Sequence, residues 1–288
     1  MTDATDALSE AALQEDRQSS DFFSTDGEII VFRSSDDVLF NIHRRNLQSV
    51  TSGPFAEDFE APACDVVELT EDEETLKILF TFVYPGRYPL LYDLPFETFA
   101  QVAEAAEKYK VAPAMGMCQL NIRLSMLYKQ HPFEIMQFAD RHEYNDLLDL
   151  AAPHTLKLRV SDARRKLSLP VFAAWAEYSS TWKEASRLES YDKCFARHSN
   201  GYVCSSWKTS VYTVAERMHE RGICSPEDVD YAFRFEGLPN CAVPSTGWDS
   251  DDAYMPNYCR SQLKKLADAM KEKIAAMAPL SSFLAHPS

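Results

Sequence analysis

At His43 the spacing of apolar residues changes, and that change limits what the chain can build. Before it, "EIIVFRSS" and "VLFNIH" are β-branched and apolar, separated by the polar Ser34-Ser35-Asp36-Asp37. This pattern predicts two short strands around a turn. In the second strand Phe40 and Ile42 share one face, and Leu39, Asn41 and His43 the other. After His43 the period becomes helical. Leu47, Val50 and Phe55 predict a short helix broken near Gly53-Pro54, and "DVVEL" predicts one more strand. Thr70 followed by Glu73 reads as a capping-box helix start. Leu76, Leu79, Phe80 and Val83 then form one helical face, stopped by Pro85-Gly86. The periodicity repeats with Phe96, Phe99, Val102, Ala103, Ala106 and Tyr109. A further helix from about Pro113 carries Met117, Leu120, Leu124 and Leu127.

Composition removes several function classes. The formal net charge is -15 and the pI about 4.9, so binding nucleic acid through a broad basic face is disfavoured. No stretch approaches the roughly 18 consecutive apolar residues of a membrane span. "MTDATDALSEAALQEDRQSSDFF" has no basic n-region and no apolar core, so it does not read as a signal peptide. Seven scattered cysteines then read as free thiols in a reducing compartment, and an intracellular location, cytoplasm or nucleus, is expected. Residues 1–21 are acidic and polar and are expected to be a disordered tail, with order beginning near Phe22.

The order hairpin, helix, strand, helix pair, helix pair resembles a BTB/POZ domain over residues 22–130. The residues that carry the likeness are the strand "FNIHR", Leu47, the step from Ser52 to Phe55 and "VVEL" before a helix. They continue with "LKILFTFVYPGRY", including Tyr84 and Gly86, and with "AAEKYKV" followed by "MCQLNI". The resemblance implies an α+β fold, a short mixed sheet capped by helical hairpins. It also makes His43 architectural, its imidazole bonding to buried backbone. Arg44 and Arg45 are expected to be solvated or paired with acids between Asp58 and Glu74.

Residues 131–288 read as an all-α domain. "HPFEIMQFADRHEYNDLLDLAAPHTL" echoes the preceding helix pair, with Ala139 and His142 as counterparts of Ala106 and Tyr109. Its start resembles BACK, the helical extension that often follows a BTB domain. The whole plan resembles a fungal type of BTB/POZ protein. Val171, Trp175, Tyr178 and Trp182 predict a core-facing stripe, and Trp207, Val211, Val214 and Met218 another, stopped by Gly222. Ser225 with Pro226 marks a strong helix start. A final helix from Arg260 to Met277 carries Leu263, Leu266, Met270 and Ile274.

Chemistry-bearing motifs are sparse. Cys194, His198 and Cys204, with Cys224, Cys241 and Cys259 downstream, lack the paired knuckles of a zinc site, so no metal and no cofactor is expected. No catalytic residue is expected either, since neither a nucleophile elbow, a Walker loop nor a dinucleotide turn occurs. The resemblance therefore implies a protein–protein interaction adaptor, acting by self-association or on other proteins, in ubiquitin-ligase or regulatory assembly. A cullin-type scaffold is the weaker expectation, because Phe55-x-Glu57 matches the cullin-binding signature imperfectly. The contact surface the resemblance implies lies around Phe55, Glu57 and Phe59, with Phe55 read as the core anchor of the segment and Phe59 as either a core anchor or an apolar contact with an acidic rim. The alternative is a metal-binding or enzymatic module in the C-terminal helical half.

Overall fold

The computed structural model describes residues 17–55, 66–188, 205–239 and 258–284. The chain divides between Leu127 and Tyr128 into two compact units, a few residues before the expected boundary between residues 130 and 131.

The first unit is mixed α/β. Strands β1 (Arg17–Gln18), β2 (Ile29–Arg33), β3 (Val38–His43) and β4 (Val67–Glu68) form one sheet in the order β1-β3-β2-β4. β2 and β3 are the expected hairpin, with Phe32 opposite Phe40 and Asp37 at positive φ in the turn. β1 and β4 pair parallel to their neighbours over two residues each. Residues 17–21, expected to belong to the disordered tail, are tied to the sheet: Arg17 and Ser19 donate backbone N–H groups to Asp37 and Leu39. Residues 1–16 of the expected tail lie outside the described residues. Asn41, on the strand face opposite Phe40 and Ile42, is buried as well. The 22–24 segment covers it, and its side chain donates to the Ser24 carbonyl.

Helix α1 (Arg44–Val50) buries Leu47, and α2 (Glu73–Thr81) buries Leu76, Leu79 and Phe80 on the expected face. The cap of α2 differs from the expected capping box. Asp72 accepts from the Thr75 N–H at 2.8 Å, while Thr70 bonds Glu71 and Lys108 instead. An acceptor three residues before a free N–H satisfies the first turn equally well, and Asp is as good a cap as Thr or better. Helix α3 (Phe96–Lys108) packs on α2, with Phe99, Val102, Ala103 and Ala106 buried. Phe80 lies fully buried at the centre, its ring within 5.4–6.1 Å of those of Phe22, Phe32, Phe40 and Phe55.

Helix α4 (Ala112–Leu124) turns a different face inward from the expected one. Ala114, Cys118 and Ile122, at four-residue spacing, are buried, whereas Leu120 and Leu124 are 46% and 72% exposed. Short side chains allow this helix to lie close against its neighbours, a preference that hydrophobicity alone does not reveal.

A short helix, α5 (Leu127–Gln130), links to the second unit, in which the described elements are all helical. α6 (Pro132–Arg141), α7 (Asn145–Ala151), α8 (Val160–Lys166) and α9 (Leu169–Ala185) are followed by α10 (Ser205–Arg221), α11 (Pro226–Ala232) and α12 (Tyr258–Ala275). Val171, Trp175, Tyr178 and Trp182 are buried, as their spacing predicts, and so are Trp207, Val211 and Val214. The Trp175 indole donates to Thr155 Oγ1 at 2.7 Å, and that hydroxyl donates on to the Ala152 carbonyl, so a buried polar chain is fully used. The last described turn, Leu280–Phe283, is held by Asp149, which accepts from the Ser281 N–H and hydroxyl at 2.7 Å each.

The internal repeat has a structural basis in how its helices stop. After α3, Lys110 adopts φ +53, and the Val111 N–H reaches back to the Ala106 carbonyl at 3.0 Å. After α6, Glu143 adopts φ +61, and the Tyr144 N–H reaches the Ala139 carbonyl at 2.8 Å. Both are Schellman stops built on a non-glycine residue, with Tyr109 and His142 at equivalent cap positions. The left-handed conformation costs an L-residue about 1 kcal/mol. Glu143→Gly is therefore expected to stabilise the second unit by about 0.5 kcal/mol, less than the full strain because glycine also loosens the unfolded chain. Urea unfolding of the variant and the parent checks the sign.

Candidate functional site

The site starts where β3 hands over to α1. His43 Nδ1 lies 2.8 Å from the Tyr84 hydroxyl, and the His43 backbone N–H donates to the same oxygen at 3.1 Å. Tyr84 follows α2, so this pair ties the end of the hairpin to the end of that helix. The imidazole is bonded to a side chain 41 positions away, where the sequence suggested buried backbone. Burial raises the Tyr84 phenol above its ordinary value, with the His43 N–H opposing, so the hydroxyl stays protonated and able to donate. Arg44 pairs with Glu28 at 3.0 Å, while Asp58, Glu60 and Asp65, among the acids expected near it, lie outside the described residues. The hairpin brings Glu28 beside the first turn of α1, a proximity that depends on strand register.

Of the three expected contact residues, Phe55 is 2% exposed and belongs to the core. Its ring stacks on Tyr109, centroids 4.2 Å apart and planes 4° apart. Such a side chain acts on any partner only by holding its segment in place. Glu57 and Phe59 lie outside the described residues. The close approach beneath Phe55 depends on Gly53, where a Cβ would stand 2.8 Å from the Lys110 side chain and 3.1 Å from the Tyr109 carbonyl. Tyr109 in turn donates to Glu71 Oε2 at 2.5 Å, and Lys108 reaches Glu71 Oε1 at 2.8 Å. Burial works against ionisation of Glu71, but the Lys108 and Tyr109 bonds outweigh it and hold the carboxyl below its ordinary value.

The exposed side of α4 is the feature that sequence periodicity missed. Leu120 and Leu124 sit one turn apart on a helix whose other face is packed, and Met126, at φ +53, is half exposed beside them. The apolar stripe was visible in the sequence. Its direction was not, since the competing stripe of Ala114, Cys118 and Ile122 is weaker in hydrophobicity and stronger in fit.

The second unit contains a cavity of about 780 Å³, within the size range of small-molecule sites. Trp182, Met218 and Ile223 supply apolar wall, while Lys157 and Lys183 supply charge. Cys224, also on the wall, donates its thiol to Asp228 Oδ2 at 3.1 Å. Burial first, and then the Asp228 bond and charge, push that thiol up to about 12, which favours the protonated form at neutral pH. Cys118 is likewise pushed up to about 12 by burial and the Glu107 charge. Among the described residues no group of three His, Cys, Asp or Glu side chains is placed to hold a metal ion. Cys194, His198, Cys204 and Cys241 lie outside them. No described helix is long and apolar enough to cross a membrane. No family model matches the chain, and no curated protein matches it.

Proposed function

We propose that the chain is a protein–protein interaction adaptor built on the BTB/POZ plan, with a helical domain following. The order of elements in residues 17–127 supports the reading: a hairpin in a small mixed sheet, then helices α2 to α4 stacked in sequence. The observation that carries the function is the exposed apolar row on α4. Leu120 and Leu124 would each gain free energy by leaving water, and the packed opposite face holds them rigid for a partner. The partner is another protein, either a second copy or an assembly scaffold.

The test uses the whole chain and the double variant Leu120→Asp/Leu124→Asp. Because both side chains are solvent-facing, the variant is expected to unfold at the parent's denaturant midpoint. The same substitutions put two charges into the contact, so self-association by sedimentation, or retention of a partner that copurifies with the parent, is expected to fall at least about tenfold. Undiminished association by the folded variant would move the interface off α4.

A second reading, a ligand-binding or enzymatic module in the C-terminal half, is favoured by the cavity beside Trp182. Its wall offers a protonated thiol, two lysines, His219 and Glu220. Elemental analysis for zinc and a small-molecule thermal-shift screen on the purified chain separate it from the adaptor reading.

A further inference from the structure

The link between α8 and α9 reads Arg164-Arg165-Lys166-Leu167-Ser168-Leu169, a run of three cations ending two residues before a serine that is followed by an apolar residue. Four features of its setting fit a substrate segment. Ser168 is exposed, and Leu169 after it is 80% exposed, an unusual position for leucine in a packed helical unit. Leu167 and Ser168 both have extended backbone, φ -89, ψ 148 and φ -59, ψ 155, the form in which a chain enters another protein's cleft. Arg164, Arg165 and Lys166 are exposed on α8, a helix of seven residues, while Leu167, 7% exposed, anchors the segment between those cations and the exposed Ser168. Finally, Ser168 stands at the N-cap of the 17-residue α9 without using its hydroxyl as a cap. The hydroxyl instead donates to Asp140 Oδ2 at 2.8 Å.

We propose that Ser168 is a phosphorylation site for a serine kinase that selects basic residues two and three positions ahead of its target. Such selection is a matter of charge pattern: acidic groups in the kinase cleft are satisfied by Lys166 and Arg165, and an apolar pocket by Leu169. The pairs that now hold those cations, Arg165 with Asp162 and Lys166 with Glu134, are surface ion pairs that exchange readily for others. In the transfer, Ser168 Oγ attacks the γ-phosphorus of ATP. The Oγ–P bond forms as the bridging β,γ P–O bond breaks, the hydroxyl proton passes to the kinase's base, and ADP leaves.

The modification has a defined local consequence. The Ser168 hydroxyl loses the proton it gives to Asp140, and a group of nearly two negative charges takes its place beside that carboxylate. The tie between the end of α6 and the start of α9 becomes a repulsion. Meanwhile the phosphate gains the first-turn N–H groups of α9 and the neighbouring guanidinium groups.

The test treats the whole purified chain with Mg-ATP and the catalytic subunit of cyclic-AMP-dependent kinase, a kinase of this selectivity, followed by peptide mapping by mass spectrometry. The Ser168 peptide is expected to gain about 80 Da, one phosphoryl group. Ser168→Ala should leave that peptide unmodified, and Arg165→Ala should slow its modification roughly tenfold by removing one charge-assisted contact. Two results would overturn the proposal. One is modification of a synthetic 160–172 peptide while Ser168 in the native chain stays unmodified, which would mean the fold withholds the site. The other is an unchanged rate for Arg165→Ala, which would mean the basic run is not what is read.

Discussion

Phe80→Ala is expected to destabilise the first unit by about 3–5 kcal/mol, the cost of removing a fully buried aromatic side chain from a packed core. Four other aromatic rings surround it, donated by the 22–24 segment, β2, β3 and the turn after α1, so the void cannot be closed by one side chain turning. Domains of this size hold only about 5–15 kcal/mol in total, which makes the loss a large fraction of the whole. Placement of the tryptophans allows a clean measurement. Trp175, Trp182, Trp207 and Trp248 all follow Leu127, so indole emission reports the second unit while far-UV circular dichroism reports both. In urea, Phe80→Ala is expected to move part of the dichroism transition to lower denaturant and leave the emission midpoint in place. A matching shift in both signals would mean that the two units unfold as one. Leu124→Ala, on the exposed side of α4, serves as the control and should move neither.

Much of this architecture was legible because it rests on periodicity. The β2–β3 pair follows from alternation about a polar turn, and the buried stripes of α2, α3, α9 and α10 follow from apolar residues three and four apart. The start of α11 was equally plain, since Ser225 accepts from the Asp228 N–H with Pro226 in the first turn. Features that depend on distant neighbours were not legible. Asn41 is buried because the 22–24 segment crosses it, and Arg44 meets Glu28 because of strand register. Gly53 looked like a helix breaker, but its missing Cβ also admits Lys110 and the Tyr109 carbonyl. On α4, hydrophobicity favoured Leu120 and Leu124 as the core face, whereas close packing selected Ala114, Cys118 and Ile122. The cavity walls come from segments as far apart as Leu156 and Cys224, a convergence that only the folded chain brings about.

Asp228 is expected to be the costliest polar residue of the second unit to remove, and the cost should depend on pH. The residue is 6% exposed, and its carboxylate accepts from four groups: Arg221 Nε at 2.6 Å, the Ser225 hydroxyl at 3.0 Å, the Cys224 thiol at 3.1 Å and the Cys224 N–H at 3.2 Å. Burial opposes the charge. The Arg221 bond outweighs it, with help from Cys224 and Ser225, and the folded carboxyl sits below its ordinary value. A carboxyl depressed by folding contributes stability that is fully present above its unfolded pKa of about 3.9 and is lost as pH falls through the folded value. Asp228→Asn keeps the shape but turns an amide toward donors, and is expected to cost about 2–3 kcal/mol at pH 7. Arg221 is nearly half exposed and recovers water when its partner is lost, so most of that cost falls on the Cys224 N–H and thiol. Urea unfolding followed by tryptophan emission should therefore show parent and variant well separated above about pH 5 and converging toward pH 3, as the parent's own carboxylate takes up its proton. A gap that stays constant over that range would mean that Asp228 acts through its shape and hydrogen bonds alone, with its charge contributing nothing to the fold.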